Sequence, residues 1–467
     1  MKNTKEEGKI ELAKERTKKI SIQEGSATSI MSGAGDSYIV PFALALNANN
    51  AQIGFLTSFV SLFGAASQIF GGKLLYKYTT RRIILATVFL QATMWVAILG
   101  LGILVLKGVI NGYAAGILIV FYIIYAIFSG LGNPPWFNLM GDIVKEGERD
   151  RYFSRRNRIT AFIALLTTLL AAFILDYFKD LGIVLWGFVI IFSVAALGRY
   201  FATYLFTKHY YPKREFKKEK YFSFFQFVKK APQTNFGRFS IFLGLVNLAT
   251  NFAAPFFAVY MLKELNFSYT LFIIVAFSSV VFTIFSMPVW GKIGDKYGNR
   301  YLMKIGGIMI PFAALFWLVS KNPLVLIFTA QLAAGIGWAA FNLGASNFIY
   351  DAVSPQRRAI CVAYYSTISG IGVFIGAIAG GLFAQYVHVN FMNTFLLIFL
   401  ISGFLRALVI FSFLPEIKEV RKVQDSKNIN LIKYFAHEMP KPLYGLFRGV
   451  FFVANDFMSI GKGVTKK

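Results

Sequence analysis

One cysteine and three histidines are all that this 467-residue chain carries of the side chains most often used to hold transition metals. Cys361 alone excludes an intrachain disulfide and any multi-cysteine metal cluster, and reads as a small helix-packing residue. His209, His388 and His437 fall in expected loops or the tail. The chain has no H-E-x-x-H pattern, no G-x-x-x-x-G-K-[ST] phosphate loop and no grouped Cys and His. No catalytic constellation emerges, so neither an enzyme nor a bound metal or cofactor is expected. The N-terminus is charged from Lys2 to Lys19 and lacks the apolar core and small-residue cleavage site of a cleaved signal peptide. Acidic residues are also scarce, with 22 Asp and Glu against 48 Lys and Arg, for a formal charge of +26.

Apolar residues make up 56% of the chain, with 51 Phe and a mean hydropathy of +0.58, beyond the range of an ordinary water-soluble protein. Apolar runs long enough for a helix to cross ~30 Å of hydrocarbon recur along the sequence. Twelve spans are expected, at 25–48, 52–73, 82–106, 113–143, 156–178 and 182–207, then 237–262, 268–293, 301–320, 323–351, 359–386 and 390–414. The ~10-residue alternation of barrel strands does not occur, so the expected fold is all-α, integral to a membrane, with backbone groups satisfied inside each helix.

The basic residues follow this topology. With the N-terminus inside, 42 of the 48 Lys and Arg fall in the two tails and the loops on the same side. Lys107, Lys179, Lys263 and Lys321 fall on the other, and Arg199 and Arg406 lie within apolar runs. This bias predicts both termini in the cytoplasm of a multi-pass cell-membrane protein. Anionic lipid headgroups are the expected partners of these charges, not nucleic acid. Arg199 and Arg406 are expected to snorkel to the interface.

The segment Gly72-Lys73-Leu74-Leu75-Tyr76-Lys77-Tyr78-Thr79-Thr80-Arg81 returns 219 residues later as Gly291-Lys292-Ile293-Gly294-Asp295-Lys296-Tyr297-Gly298-Asn299-Arg300. The shared pattern G-K-x-x-x-K-Y-x-x-R marks two related halves. Further pairs agree: Phe137-Asn138-Leu139 with Phe341-Asn342-Leu343, Asp142-x-Val144…Arg149 with Asp351-x-Val353…Arg358, and Arg199 with Arg406. The expected organisation is a basic tail at 1–24, a six-helix bundle at 25–207, a linker at 208–236 with a short amphipathic helix around 222–228, a second bundle at 237–415, and a basic amphipathic tail at 416–467.

On these residues the chain resembles the major facilitator superfamily, over about 25–415. Gly291 to Arg300 is close to that family's loop signature G-x-L-x-D-R-x-G-R-R between helices 8 and 9. The resemblance implies two pseudo-symmetric bundles around a central cavity, exchanging inward-open and outward-open forms. It also implies that Asp295 meets the start of helix 5, near Arg155 to Arg158, when the cytoplasmic side is closed. A carboxylate at a helix end attracts a neighbouring helix N-terminus, which supplies the physical reason for such a latch.

The first copy departs from the signature, with Tyr76 in place of the carboxylate and Thr79 in place of the turn glycine. Gly72, Lys73, Tyr76, Arg81, Asp142, Arg149, Gly291, Asp295, Gly298, Arg300, Asp351 and Arg358 are the expected cytoplasmic gate residues, the second group of carboxylates and arginines forming either a gating cluster or a solvated rim.

Asp36 lies near the middle of the first span, within Ser32-Gly33-Ala34-Gly35-Asp36-Ser37-Tyr38. A carboxylate at that depth costs several kcal/mol unless protonated, paired or hydrated, which makes it either a proton carrier or a hydrogen-bonded shaping element. Trp136, Asn138, Asn247, Asn251, Trp338, Asn342 and Asn347 are the expected substrate-cavity set, since the family places helices 1, 4, 7 and 10 around the cavity; the asparagines among them also serve for interhelical hydrogen bonding. Gly370, Gly372, Gly376, Gly380 and Gly381 are expected to allow close packing of helix 11. The glycine-rich G-P-x-x-G antiporter pattern is missing from Ala161 to Leu175, which argues against drug efflux. Pro415-Glu416-Ile417-Lys418 resembles a P-E-x-K segment of sugar porters, too short to assign a sugar. The expected function is secondary active transport of a small organic solute by a monomer using alternating access and coupled to protons, with facilitated diffusion or a non-transporting membrane sensor or scaffold as alternatives.

Overall fold

Short polar residues begin the helices. Asn49 caps α3 (Asn50–Leu74) in a reciprocal box with Gln52, its side chain accepting the Gln52 N–H at 2.8 Å. Thr79 caps α4 (Thr80–Leu106), Thr234 caps α9 (Asn235–Asn251) and Asn393 caps α16 (Thr394–Phe413). Each such side chain satisfies an N–H that has no partner in the helix itself.

The computed structural model describes residues 2–110, 112–145, 148–212, 223–421 and 423–424. The remaining helices are α1 (Lys2–Ala34), α2 (Ile39–Ala45), α5 (Ala114–Ile143), α6 (Arg149–Asp180), α7 (Val184–Thr207), α8 (Phe224–Lys230), α10 (Ala254–Val259), α11 (Tyr269–Tyr297), α12 (Asn299–Leu315), α13 (Pro323–Leu326), α14 (Leu332–Ala352) and α15 (Pro355–Tyr386). No strand occurs among the described residues. The amphipathic helix expected in the linker is α8, opened by a Ser223–Gln226 capping box. Of the amphipathic tail expected at 416–467, only 416–421 and 423–424 are described.

Eleven described helical stretches are long and apolar enough to cross a membrane. The expected first span, 25–48, differs. Here α1 continues the charged N-terminal helix, stops at Ala34, passes through a 3₁₀ turn at Asp36–Tyr38 and resumes as α2. Gly35 sits at the break because the Trp95 indole and the Met31 carbonyl occupy the space that a Cβ would need. The span expected at 237–262 is also interrupted, with α9 ending at Asn251, α10 following, and a π turn at Tyr260–Glu264.

The chain separates into two compact units. Unit 1 comprises Met1–Lys220 with Met261–Thr270, and unit 2 comprises Tyr221–Tyr260 with Leu271–Lys467. In unit 1, α3 packs on α5, α4 on α7, and α1 on both α6 and α7. Ile84, Val88, Leu139, Met140, Ile143 and Phe206 form one of its buried cores. At the other end of this unit, Asp176 near the close of α6 accepts the backbone N–H groups of Tyr269 at 2.6 Å and Thr270 at 2.8 Å.

In unit 2, α9 packs on α15 and α12 on α14. Gly372, Gly376 and Gly380, spaced four residues apart on α15, lie against the backbone carbonyls of Gly244 and Leu248 on α9 and of Phe252 just after it. A Cβ at any of the three would overlap those carbonyls, so the small-residue stripe is what lets the two backbones approach. Gly376→Ala is therefore expected to lower stability by ~1–3 kcal/mol through overpacking. Gly100→Ala, whose added methyl would meet nothing within 4 Å, is the control. Equal unfolding midpoints for the two variants in detergent would show that the helices can separate without penalty.

Candidate functional site

Glu24, Thr28, Ser32 and Asp36 follow one another at four-residue intervals and thus along one slanted row of α1 and its 3₁₀ extension. A helix rises 1.5 Å per residue, so the row is roughly 18 Å long. Each end carries a carboxylate with its own set of donors.

At the Asp36 end, two parallel phenol rings from α5 supply the donors. Tyr122 donates to Oδ1 at 3.0 Å and Tyr125 to Oδ2 at 3.3 Å. The two rings stack with centroids 5.2 Å apart and an interplanar angle of 6°. Trp95 of α4 meets the Tyr125 ring edge-on at 5.5 Å, which holds the pair in place. Because α1 stops at Ala34, Asp36 opens the 3₁₀ turn just beyond its end.

Glu24 was not among the residues singled out from the sequence. It is almost fully buried, and its Oε1 accepts from Arg156 of α6 at 3.0 Å, from Trp136 of α5 at 3.3 Å and from Ser21 at 3.2 Å. The Arg156 guanidinium also covers the Trp136 ring at 4.8 Å and donates to the Ser21 carbonyl at 3.2 Å. Trp136, expected in a substrate cavity, is thus built into an ion-pair cluster. Gly25 makes room for Arg156, whose guanidinium fills the space beside its Cα. The four-residue spacing of Glu24, Thr28, Ser32 and Asp36 is the sequence signal that could have exposed this site.

Between the two carboxylates, Arg199 of α7 donates to Thr28 Oγ1 at 2.8 Å and to Gln91 of α4. It is 8% exposed, within electrostatic reach of both Glu24 and Asp36. The snorkelling expected for Arg199 is therefore corrected: acceptors inside the bundle hold it there. The same holds for Arg406 in unit 2, at 3% exposure. Its guanidinium donates to the carbonyls of Ile310 at 3.3 Å and Thr250 at 3.4 Å. Thr250 lies in the last turn of α9, and its carbonyl also accepts the Ala253 N–H at 3.2 Å.

The other expected cavity residues are dispersed over both units. Asn247 and Asn251 do not lie at the centre of a continuous helix, and their amides donate to the Leu243 and Asn247 carbonyls, each at 2.9 Å, on their own helix. Trp338 stands edge-on to Phe341 at 5.7 Å against a buried core. Asn342 is exposed, while Asn138 and Asn347 are partly so.

Three of the expected gate residues of unit 2, Gly298, Arg300 and Asp351, meet the segment after α16. Gly298 adopts φ +90°, which a residue with a side chain rarely does, and starts α12. The Arg300 N–H donates to Glu419 at 2.8 Å and its guanidinium to the Pro415 carbonyl at 3.1 Å. Asp351 pairs with Arg421 at 2.6 Å and accepts from Asn299 at 2.6 Å. Neither Arg421 nor Glu419 was expected there. Asp295 is exposed near the end of α11, as is Lys292, with Gly291 partly exposed before them. In unit 1, Gly72 is partly exposed, Tyr76 and Arg81 are exposed, and Lys73 lies 5.5 Å from the Phe70 ring centroid. Asp142 is partly buried near the end of α5, and the side chains of Arg149 and Arg358 lie outside the described residues. Lys18 of α1 bridges Glu15 at 2.6 Å and Glu148 at 2.7 Å, tying the projecting part of α1 to the start of α6.

The fold resembles that of known transporters. The nucleoside transporter NupG superposes with a TM-score of 0.63 at 15% identity, covering 86% of this chain and 99% of that one. A bacterial homologue of the iron transporter ferroportin in its inward-facing state gives 0.64 at 16% identity, over 85% and 98%. A POT family transporter in complex with 5-aminolevulinic acid gives 0.66 at 14% identity, over 86% and 97%. At these identities the likeness is one of fold. By sequence, an MFS-type transporter of Aspergillus terreus (strain NIH 2624 / FGSC A1156) is 28% identical over 102 residues, 22% of this chain. The match spans 18% of that relative's length, about a fifth. The profile of the Major Facilitator Superfamily matches twice, over residues 26–249 and 239–460. With both repeats matched and eleven helices among the described residues long and apolar enough to cross a membrane, this chain belongs to the Major Facilitator Superfamily.

Proposed function

We propose that the protein is a secondary active transporter that moves a small organic solute across the cytoplasmic membrane by alternating access, coupled to protons at Asp36, with both termini in the cytoplasm. The observation that carries this reading is the Asp36 carboxylate at a break in the first span, accepting from Tyr122 and Tyr125. A half-buried carboxylate whose hydrogen-bond partners are neutral phenols keeps the choice between charged and protonated forms open, whereas a direct ion pair would fix the charge. Glu24, bound directly to Arg156, is by the same argument a fixed charge that holds α1 to α6. The cytoplasmic placement of the termini rests on the distribution of Lys and Arg.

One proton moving down ~100 mV supplies ~2.3 kcal/mol, enough to concentrate a neutral solute roughly 50-fold. Asp36→Asn preserves the shape of the side chain and removes its titration. It is expected to abolish gradient-driven accumulation in proteoliposomes while retaining ligand binding and solute exchange. Full accumulation by this variant would remove Asp36 from coupling. Wild-type equilibration that ignores the proton gradient would instead identify a uniporter, and binding without flux a sensor or scaffold. A thermal-shift panel of nucleosides and amino-acid-like solutes is the starting screen, because a ligand of the folded state raises apparent stability. The panel follows from what the similar NupG and POT structures are described as carrying or binding.

A further inference from the structure

At the basic end of unit 2, the end of α11, α12, α16 and the segment that follows α16 line a half-open cavity of about 580 Å³. That volume lies within the range of small-ligand pockets. Arg300 and Lys304, one helical turn apart on α12, place two cations on its wall. Tyr297 and Tyr301 add two phenol rings, 5.8 Å apart. Phe411 of α16, 58% exposed, forms its apolar lip.

One carboxylate, Glu419, also lines the cavity. Its oxygens accept the backbone N–H groups of Arg300, Val420 and Arg421 at 2.8, 2.9 and 3.3 Å. It therefore serves the local chain, and the two cations outweigh its charge. The Arg300 guanidinium spends one N–H on the Pro415 carbonyl and has further donors to offer.

The walls have a direction. Phe404, Leu408 and Phe411 are all strongly exposed and, at intervals of four and three residues, form a stripe down α16 that ends at the cavity lip. On a helix that crosses a membrane, such a stripe faces hydrocarbon. Charge and hydrogen-bond donors at the helix ends, continuous with an apolar track along the helix, match an amphiphile with an anionic head.

We propose that this cavity binds an anionic glycerophospholipid, its phosphate held by Arg300 and Lys304 and its acyl chains laid along Phe411, Leu408 and Phe404. A free phosphorylated solute would use the same cations but not the stripe. Such a ligand ties α12, α16 and Pro415 and Glu419 of the following segment together at the place where the second loop signature ends.

The test uses the full chain purified in detergent with phosphatidylglycerol as the probe, phosphatidylcholine as the uncharged-head control and glycerol 3-phosphate as the chainless control. Retained lipid is read by native mass spectrometry, and the thermal midpoint is followed alongside. Lys304→Gln is expected to weaken phosphatidylglycerol retention about fivefold, in line with one basic residue near an anionic surface, whereas Lys304→Arg retains it. Lys77→Gln, on an exposed turn of unit 1, controls for the general attraction of a basic protein to anionic lipid. Lys304 is itself exposed, so its replacement leaves the core intact. Retention reduced equally by Lys304→Gln and Lys77→Gln, or unchanged by either, overturns the site. Stabilisation by glycerol 3-phosphate that matches phosphatidylglycerol would assign the cations to a soluble phosphoryl ligand and overturn the lipid.

Discussion

Arg156→Gln is expected to destabilise the protein by about 3–5 kcal/mol, because it leaves the Glu24 carboxylate buried without its counter-ion. Glu24 is 2% exposed, and the Arg156 side chain meets both its Oε1 and the Trp136 ring. The double variant Glu24→Gln/Arg156→Gln replaces the pair by two neutral amides that can hydrogen-bond each other. It is expected to recover a large part of the loss, since the cost of an ion pair lies mainly in desolvating the charges. A double-mutant cycle measured by chemical or thermal unfolding in detergent reads this directly. Strict additivity of the two single substitutions would mean that the pair is not coupled, and that Arg156 acts only through its contacts with Trp136 and Ser21.

Acidification from pH 6.5 toward 4 is expected to cost unit 1 on the order of 3 kcal/mol through His209 alone. His209 lies just beyond α7, 6% exposed, with its ring against Phe206 at 5.1 Å and Tyr211 at 6.3 Å. Burial, and then the charge of Arg156, push its imidazole down to about 4 from an ordinary value of 6.5. The folded protein thus keeps the ring neutral while the unfolded chain binds a proton below 6.5. More protons on the unfolded state means that stability rises with pH, so the contribution is complete above 6.5 and is lost as pH falls through the window to 4. His209→Phe preserves an aromatic ring and removes the titration. The unfolding midpoint of this variant should fall less steeply across that window, and parallel pH profiles for variant and wild type would place the acid sensitivity elsewhere.

Both residues show where reading along the chain stops. Arg156 is one of six basic residues expected in a single loop, and nothing local distinguishes it from Arg155 or Arg158. It acquires a role because its partner, 132 positions earlier, is placed beside it by the packing of α1 on α6. Asp36 was legible because a carboxylate inside an apolar run is costly wherever it sits. Its partners, Tyr122 and Tyr125, were not, since tyrosines on an apolar helix carry no mark of what they donate to. Arg199 and Arg406 were read by depth alone, and depth does not reveal whether an acceptor lies nearer than water. For Asp351, the ionic partner, Arg421, lies in a segment that follows the last helix and has no counterpart in the repeat.

The helices, their membrane solvent, the repeat and the expected orientation follow from the sequence by itself, because hydropathy, capping residues and Lys and Arg counts act over one span at a time. The breaks at Gly35 and Asn251, the pairing of Glu24 with Arg156, the phenols on Asp36 and the cavity at Arg300 and Lys304 were decided only by tertiary structure. Each of these brings together groups far apart in the chain or depends on which backbone a neighbouring helix approaches, and such contacts carry no one-dimensional period.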